Sequence, residues 1–302
     1  MNSQVKAHLA LLGANLFFAT NYSAIKYFTA NNYAGPFGLN IIRVGVSLIL
    51  FWILFLFKPT KTRIDKKDIF ALALCALTAV ALNQLLFIKG LSLTLPIHAS
   101  LLTLITPILI TILAARILKE KLISAKIIGL FLGVSGAVLL VSAGEKSAPG
   151  DNILQGDFLV ILSSVAYTFY FILVKPLMDK YSPIMVVRWI FTFGFFMTLP
   201  LSVNEFNLIA WEVFTLKDWA LLFLIVIPGT FLAYIFNVYG IKILSASTAG
   251  AYIYSQPIFA VIVAMVFLKE ELSLYKILAA ALIFGGVFLS NRKMKNGLIN
   301  GH

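Results

Sequence analysis

The sequence predicts an all-helical integral membrane protein whose ten transmembrane helices form two inverted five-helix repeats. Composition is the first reason: 61% of the 302 residues are hydrophobic and 12% are charged, whereas about a quarter of a soluble domain is charged. Second, the chain divides into ten apolar stretches close to the roughly 20 residues that cross about 30 Å of hydrocarbon. Third, Pro107 and Glu120 recur as Pro257 and Glu270, at an offset of 150 residues.

The ten predicted spans follow one another along almost the whole chain and leave no room for a separate soluble domain. The first span is expected to be a retained helix, because no small-residue cleavage site follows Lys6 before Asn31. The last span is the shortest. In chain order the spans run approximately over residues 7–28, 37–57, 68–89, 97–118, 124–143, 156–178, 184–203, 218–241, 246–268 and 273–290.

A polar, turn-rich segment from Gly144 to Asn152 divides five spans from five. We predict a first repeat over residues 1–147, a second over 153–293, a linker over about 144–152 and a short tail over 294–302. Because five is an odd number, the second repeat enters the membrane from the opposite face. In secondary transporters with inverted repeats, the substrate site lies near the midplane where the repeats meet.

The distribution of basic residues predicts the orientation of the chain in the membrane. The formal net charge is +12, and five basic residues cluster between Lys58 and Lys67. Positive charge accumulates in cytoplasmic loops, so we predict a multi-pass protein of the cell (inner) membrane with both termini in the cytoplasm. The same charge on a soluble protein would suggest nucleic acid, but here it indicates topology.

The sequence lacks the residues that several kinds of chemistry require. Cys75 is the single cysteine, the three histidines lie far apart, and no Walker glycine loop is present. No cofactor or metal is therefore predicted. The acidic residues all fall in loops or at span ends, so the carboxylate proton relay of pumps is missing. Facilitated diffusion or exchange is the simpler mechanism, with His98 as the remaining candidate for proton coupling.

Each half ends in a matching block, from Thr106 to Glu120 and from Gln256 to Glu270. In both blocks a proline lies inside a span, where it is expected to kink the helix. Together with Phe18 to Lys26, these blocks resemble the EamA-like family of the drug/metabolite transporter superfamily over essentially the whole chain. Ala19 departs from the glycine that the family often has there.

The resemblance implies export or exchange of amino acids and related small metabolites. We therefore predict a secondary transporter that works by alternating access, with amino acids or their derivatives preferred as substrate. The alternative is an integral membrane enzyme acting on a lipid or isoprenoid substrate. Such an enzyme generally needs clustered carboxylates, a metal set or an acid/base pair, and the span interiors contain none of these, so the protein is predicted not to be an enzyme.

Polar side chains inside the spans are costly in lipid and tend to face a cavity or another helix. They recur at helical spacing on the first, third, fourth, sixth, eighth and ninth spans, which we predict to line a central substrate cavity. Helix packing is the alternative role of each, above all of the hydroxyls and phenols. The candidates are Asn15, Asn21, Tyr22, Lys26, Asn83, Gln84, Thr103, Tyr167, Tyr170, Tyr234, Asn237, Tyr252, Ser255 and Gln256.

A second group of residues is predicted to act in structure or gating. Lys26, Arg43 and Lys175 either bind an anionic group of the substrate or serve structure, the lysines by snorkelling and Arg43 by bonding helix-end carbonyls. Glu120 and Glu270 are expected to pair with Lys119, Lys121 or Lys269. The structural or gating candidates are Arg43, Pro107, Glu120, Lys175, Pro257 and Glu270.

The predicted partners are membrane lipid and a small-molecule substrate, with no nucleic acid. Gly129, Gly133 and Gly136 form a small-residue surface that allows close helix approach. This surface serves either packing within the fold, which we favour, or a homodimer. The fifth and tenth helices are expected to stand aside from the central bundle.

Overall fold

The structure, a computed structural model, describes residues 2–57, 63–94, 99, 102–142, 152–259 and 274–290. Within these ranges the regular secondary structure is helical, and five helices are long and apolar enough to cross a membrane. The prediction of an all-helical membrane protein built from two inverted repeats is confirmed. His98, Lys269 and Glu270, most of the linker and the tail lie outside the described residues.

Among the described residues, each helix overlaps one of the ten apolar stretches, and we number the helices in chain order. A 3₁₀ turn at Trp211–Val213 lies between α7 and α8. The helices are α1 (Ser3–Ala30), α2 (Pro36–Phe57), α3 (Lys66–Leu93), α4 (Ile105–Ile117), α5 (Ser124–Ser142), α6 (Ile153–Lys180), α7 (Pro183–Asn207), α8 (Leu216–Ile243), α9 (Ala246–Ala251, continued by a 3₁₀ turn at Tyr252–Ser255) and α10 (Leu274–Ser290).

The offset of 150 residues recurs in the helix bounds. Helices α1 and α6 both span 28 residues, from 3 to 30 and from 153 to 180. Helices α3 and α8 each contain a six-residue π-helical turn, at Leu77–Leu82 and Ile227–Leu232. A π-turn shifts the hydrogen-bond ladder and is frequent at functional sites. Pro228 lies in the second turn and no proline lies in the first, so proline alone does not explain the pair.

The two halves are interleaved through their first and third helices. The end of α3 packs on α6, and the end of α8 packs on α1. A Cβ added to Gly90 would lie 2.9 Å from the Gly156 carbonyl oxygen, and one added to Gly240 would clash with Cγ of Leu11. Glycine is therefore needed at both equivalent crossings, because the helices approach too closely for a side chain.

A carboxylate near the start of α3 and of α8 is bound from the other half. The Tyr181 hydroxyl donates to Asp68 at 2.7 Å, and the Tyr27 hydroxyl donates to Asp218 at 2.8 Å. A negative charge in the first turn of a helix also interacts favourably with the helix dipole. These two contacts tie the starts of the third helices to the ends of the first ones.

Helices α5 and α10 pack chiefly on each other. A Cβ on Gly136 would lie 2.8 Å from the Ala279 carbonyl oxygen, and one on Gly286 would lie 2.5 Å from the Gly129 carbonyl oxygen. The glycine surface of α5 is thus in use within the fold, although the homodimer stays a prediction.

The helical path changes next to the two repeated prolines. Leu104 interrupts the helix just before α4, which contains Pro107 in its first turn. The 3₁₀ turn at Tyr252–Ser255 comes just before Pro257. Proline has no N–H to bond the carbonyl four residues earlier, which accounts for a break on the N-terminal side of each proline. The kinks therefore lie at Leu104 and at the 3₁₀ turn Tyr252–Ser255, each just before a repeated proline.

We expect Gly90→Ala to destabilise the protein by about 1–3 kcal/mol, because the added Cβ meets backbone atoms of Gly156 and Val160 in α6 as well as the Val160 side chain. The measurement is the Tm of the purified protein in detergent. Gly285→Ala is the matched control, since nothing lies within 4 Å of its added Cβ. Equal Tm values for the two variants would contradict the proposed close crossing.

Candidate functional site

A cavity of about 100 Å³ lies between the two halves. This volume is several times the roughly 10–15 Å³ that one water molecule requires, so small polar groups can reach the side chains around it. The lining residues come from α1, α2, α3, α6, α8 and the segments beside Pro107 and Pro257. They are Phe18, Asn21, Tyr22, Ile25, Arg43, Asn83, Gln84, Phe87, Thr103, Thr106, Ser163, Ser164, Tyr167, Tyr234, Ile253 and Gln256.

The cavity adjoins the axis that relates the halves. Gln84 Nε2 donates to the Tyr234 hydroxyl at 2.9 Å, and these residues are 150 positions apart. Two equivalent positions can touch only where the pseudo-two-fold axis passes. The Tyr234 hydroxyl in turn donates to the Ala79 carbonyl, in the π-turn of α3, at 3.1 Å. The site is thus where an inverted-repeat transporter is expected to bind substrate.

The π-turn of α8 holds Asn21 in place. Asn21 Nδ2 donates to the Gly229 carbonyl at 2.7 Å, while a Cβ on Gly229 would clash with Asn21 Oδ1. The turn thus needs glycine to admit the amide. Asn21 Oδ1 is buried and has no hydrogen-bond partner among the described residues. It is an acceptor within a cavity-lining side chain.

Arg43 is held by the next residue of the same turn. Its side chain is 5% exposed, and Nε donates to the Thr230 hydroxyl at 3.1 Å. The hydroxyl donates onward to the Ile225 carbonyl at 2.8 Å. The guanidinium makes no ion pair with a carboxylate of the described residues. A buried permanent charge favours an anionic partner, so anion binding by Arg43 remains the prediction.

A chain of amides connects α1 to the kinked segment after α9. Gln256 Nε2 donates to Asn15 Oδ1 at 2.8 Å, and the Tyr22 hydroxyl donates to Gln256 Oε1 at 3.2 Å. The same hydroxyl is 3.5 Å from Thr103 Oγ1. Asn15 does not line the cavity, but it orients Gln256, which does.

On the opposite wall, two amides from different helices meet α6. Asn83 Nδ2 donates to the Ser163 carbonyl at 3.1 Å, and Asn237 Nδ2 donates to the Tyr167 hydroxyl at 2.6 Å. Asn83 and Tyr167 line the cavity, whereas Asn237 lies behind Tyr167. Asn237 is therefore a positioning residue in this arrangement.

Lys26 and Lys175 lie away from the central cavity, at helix ends. Lys26 Nζ donates to the carbonyls of Leu91, Ser92 and Thr94 at 3.2–3.3 Å. In the second half, Lys175 Nζ donates to the carbonyls of Ile241 and Lys242 at 2.9 and 3.1 Å. Both ammonium groups thus bond carbonyls at helix C-termini, where a positive charge also interacts favourably with the helix dipole.

Three further candidates lie close to the cavity without lining it. Tyr170 stacks on Tyr167 with ring centroids 5.6 Å apart. The Tyr252 hydroxyl lies 2.6 Å from Nδ1 of His8, and the Ser255 hydroxyl donates to the Tyr252 carbonyl at 2.6 Å. These contacts support the packing alternative for Tyr170 and Ser255.

The π-turn carbonyl of Gly229 and the hydroxyl of Thr230 were missed by the sequence reasoning. A Pro228–Gly229 pair inside a span was the available signal, because that dipeptide marks irregular backbone. Phe18 and Phe87 were missed as well. Their apolar side chains carry no signal that separates a cavity wall from ordinary packing.

Glu120 connects the end of α4 to the start of α9. Its carboxylate accepts from the Ala246 backbone N–H at 2.7 Å, from the Ser247 hydroxyl, and from Lys126 Nζ at 3.2 Å. Its ionic partner is therefore Lys126 and not, as expected, Lys119 or Lys121, because Lys126 reaches back from the first turn of α5.

The surroundings of Glu120 favour its charged form. Burial raises the pKa of this carboxyl, but the hydrogen bond from Ser247 and the charge of Lys126 outweigh burial. The pKa of Glu120 is consequently lowered from its ordinary value.

The comparisons with known proteins find matches that cover nearly the whole chain. The sequence profile of the EamA-like transporter family matches residues 5–142 and 154–292. The uncharacterized transporter YetK of Bacillus subtilis (strain 168) is 28% identical over 250 residues, which cover 82% of this chain and 76% of the relative. A solved crystal structure shares the fold, with a TM-score of 0.75 and 19% identity over 94% of this chain and 96% of the other.

Of two other relatives, one has a name that states no substrate and the other has a name that states one. An uncharacterized transporter of Archaeoglobus fulgidus is 25% identical over 297 residues, covering 97% of this chain and 99% of the relative. A protein of Streptantibioticus cattleyicolor, named a probable terminal-alkyne amino-acid exporter, is 27% identical over 235 residues, covering 75% of this chain and 74% of the relative.

We expect Glu120→Gln to lower the free energy of unfolding at neutral pH by about 1–3 kcal/mol, because charge-assisted hydrogen bonds are lost. The folded-state pKa is lowered, so this stabilisation is complete above the unfolded pKa and disappears as the pH falls through the folded pKa. The measurement is the Tm of both proteins from about pH 7 to about pH 3.

The difference in Tm between the wild type and Glu120→Gln should therefore narrow at acidic pH. The matched control is Glu212→Gln, which changes an exposed carboxylate. A Tm difference that is independent of pH would contradict the role of the Glu120 charge.

Proposed function

The chain belongs to the EamA-like transporter family, and from this premise we propose that it exports or exchanges amino acids or closely related small metabolites. The relatives described above are named transporters or exporters, and one is named a probable terminal-alkyne amino-acid exporter. Proteins of related sequence can differ in substrate, so we infer the substrate class from the chemistry of the cavity itself.

The observation that carries the proposal is the pairing of a buried cation with acceptor atoms in one cavity. Arg43 supplies N–H donors and a permanent positive charge. Asn21 Oδ1 and Gln84 Oε1 are buried acceptors without a hydrogen-bond partner among the described residues. Asn21 and Arg43 are anchored to the consecutive residues Gly229 and Thr230, so their free polar atoms are held near each other.

This arrangement complements an α-amino acid. Its carboxylate accepts charge-assisted hydrogen bonds from Arg43, and its ammonium donates to the amide oxygens of Asn21 and Gln84. The two charged groups of such a substrate are attached to the same carbon, as a compact site requires. Either group alone would leave the other side of the site without a partner.

The aromatic walls fit an apolar substrate side chain. Phe87 meets Tyr22 edge-on with ring centroids 5.2 Å apart, and Phe18 meets Tyr234 edge-on at 6.0 Å. Pockets that bind small molecules combine mostly apolar walls with a few placed polar groups. We therefore place the polar head of the substrate at Arg43 and its side chain among these rings.

Alternating access follows from the location of the site at the pseudo-two-fold axis. One half rocks against the other about the Gln84–Tyr234 contact, while the prolines beside the cavity allow the helices to bend. At the end that we propose to be cytoplasmic, the contact of Glu120 with Ser247 must separate for α4 to move away from α9. We propose that both termini are cytoplasmic and that the protein lies in the cell (inner) membrane.

The cavity favours exchange or facilitated diffusion over proton coupling. Among the described residues that line it, the titratable groups are Arg43 and three tyrosines, with no carboxylate or histidine. These groups do not exchange protons readily near neutral pH. They also lack the acid/base pair that the alternative, an integral membrane enzyme acting on a lipid or isoprenoid, generally needs.

The test is counterflow in proteoliposomes. Vesicles containing the purified protein are preloaded with a pooled amino-acid mixture, and uptake of labelled members is followed with and without a pH gradient. We expect uptake that depends on the preload and not on the gradient. Gradient-dependent uptake would contradict the exchange mechanism, and movement of nucleosides or sugars alone would contradict the substrate class.

We expect Arg43→Gln to weaken the apparent substrate affinity by about tenfold or more, because a charge-assisted contact is lost. Wild-type protein should also discriminate an amino acid from the amine that lacks its carboxylate, measured by competition for uptake, and Arg43→Gln should lose this discrimination. Arg116→Gln is the matched control, since Arg116 is exposed and remote from the cavity. Retained discrimination in Arg43→Gln would overturn the carboxylate assignment even if its overall activity were reduced.

A further inference from the structure

A second cavity, of about 340 Å³, lies between the end of α2 and the starts of α3 and α7. Its lining includes Phe55, Arg63, Ile69 and Arg188, and it shares no lining residue with the central cavity. The transport mechanism proposed above does not use it. Its most unusual feature is a buried arginine.

Arg188 is 4% exposed. Its guanidinium carbon lies 3.6 Å from the centroid of the Phe55 ring and 4.7 Å from that of the Trp52 ring. These rings interact with the flat faces of the guanidinium. Its in-plane donors Nε and Nη1 are buried and have no hydrogen-bond partner among the described residues, so two donors on the edge of the group are left unsatisfied.

The position of this arginine is held by a short hydrogen-bond chain. Trp52 Nε1 donates to the Thr192 hydroxyl at 3.2 Å, and that hydroxyl donates to the Arg188 carbonyl at 2.8 Å. The aromatic platform and the arginine are thus connected to the same turn of α7. The site is preorganised in the sense that binding needs little rearrangement.

The charge of this region selects an anion. Arg188 makes no ion pair with a carboxylate among the described residues, and Arg63 adds a second positive charge to the lining. The buried Asp68 is already bound by Lys180 at 3.0 Å and by the Tyr181 hydroxyl at 2.7 Å. A buried cation with free donors and no counter-ion is stabilised when a negative group binds it.

The surface beside the cavity is suited to lipid chains. Leu56, Phe57 and Phe70 are 74%, 81% and 72% exposed, and Ile69 on the cavity wall is exposed as well. In a membrane-spanning bundle such residues face hydrocarbon. An anion that reaches Arg188 from this side therefore has an apolar tail.

We propose that this cavity binds the phosphate headgroup of an anionic membrane lipid, with the phosphate at Arg188 and Arg63 and the acyl chains along α2 and α3. The sequence places five basic residues between Lys58 and Lys67, which attract an anionic leaflet. A lipid bound here contacts α2 of one half and α7 of the other, and so stabilises their packing. The site is independent of the transported substrate.

The experiment uses the purified full-length protein in detergent micelles, delipidated and then titrated with phosphatidylglycerol or with phosphatidylcholine of the same acyl chains. The measurements are the Tm and, by native mass spectrometry, the number of bound lipids. We expect phosphatidylglycerol to raise the Tm and to bind, with a much smaller effect of phosphatidylcholine. Equal effects of the two lipids on the wild type would overturn the proposal without the use of any variant.

Arg188→Gln should weaken the apparent affinity for phosphatidylglycerol by about tenfold, and Arg188→Lys should weaken it less because the charge is kept. Arg116→Gln, which changes an exposed arginine at the same end of the bundle, is expected to behave as the wild type. Undiminished binding by a folded Arg188→Gln protein would overturn the assignment. Inorganic phosphate alone, titrated in parallel, should give no Tm shift, and an equal shift would show a phosphate site instead of a lipid site.

Discussion

Backbone groups inside a membrane have no water to bond, and the structure depends on how each interrupted helix satisfies them. Lys26 and Lys175 donate to the carbonyls at the ends of α3 and α8. The two halves use the same solution at nearly equivalent positions. Because each capped helix also crosses the first helix of the other half, these local hydrogen bonds hold both repeats in register.

The same constraint creates the central site. A π-turn in each of α3 and α8 redirects backbone carbonyls toward neighbouring helices, and side chains of other helices bond them. Asn21 bonds the Gly229 carbonyl and Tyr234 bonds the Ala79 carbonyl. Irregular backbone is tolerated in a membrane where protein or a cavity satisfies it. The cavity therefore lies beside the paired π-turns, and its location at the pseudo-two-fold axis fits a transporter.

Two buried arginines show how the surroundings determine the role of one residue type. Arg43 faces the central cavity and is held by Thr230, whereas Arg188 faces outward and is held between aromatic rings. Neither makes an ion pair with a carboxylate of the described residues. We propose a soluble zwitterion as the ligand of the inner arginine and an anionic headgroup with an apolar tail as the ligand of the outer one. In both proposals the surface beside the guanidinium distinguishes the two ligand classes.

The sequence by itself determined the membrane class, the ten apolar stretches, the repeat at 150 residues and half of the residues that line the cavity, including Asn21, Gln84 and Tyr234. The apolar stretches and the polar cavity residues follow from hydropathy and helical spacing within single helices. The repeat follows from matching residues along the chain. Only the tertiary structure decided that Lys26 and Lys175 cap helices, that Asn237 lies behind Tyr167, and that Glu120 pairs with Lys126. Such roles depend on how each helix is rotated and where it crosses its neighbours. Contacts between residues far apart in the chain determine that rotation, so it cannot be predicted from the spacing of residues along one helix.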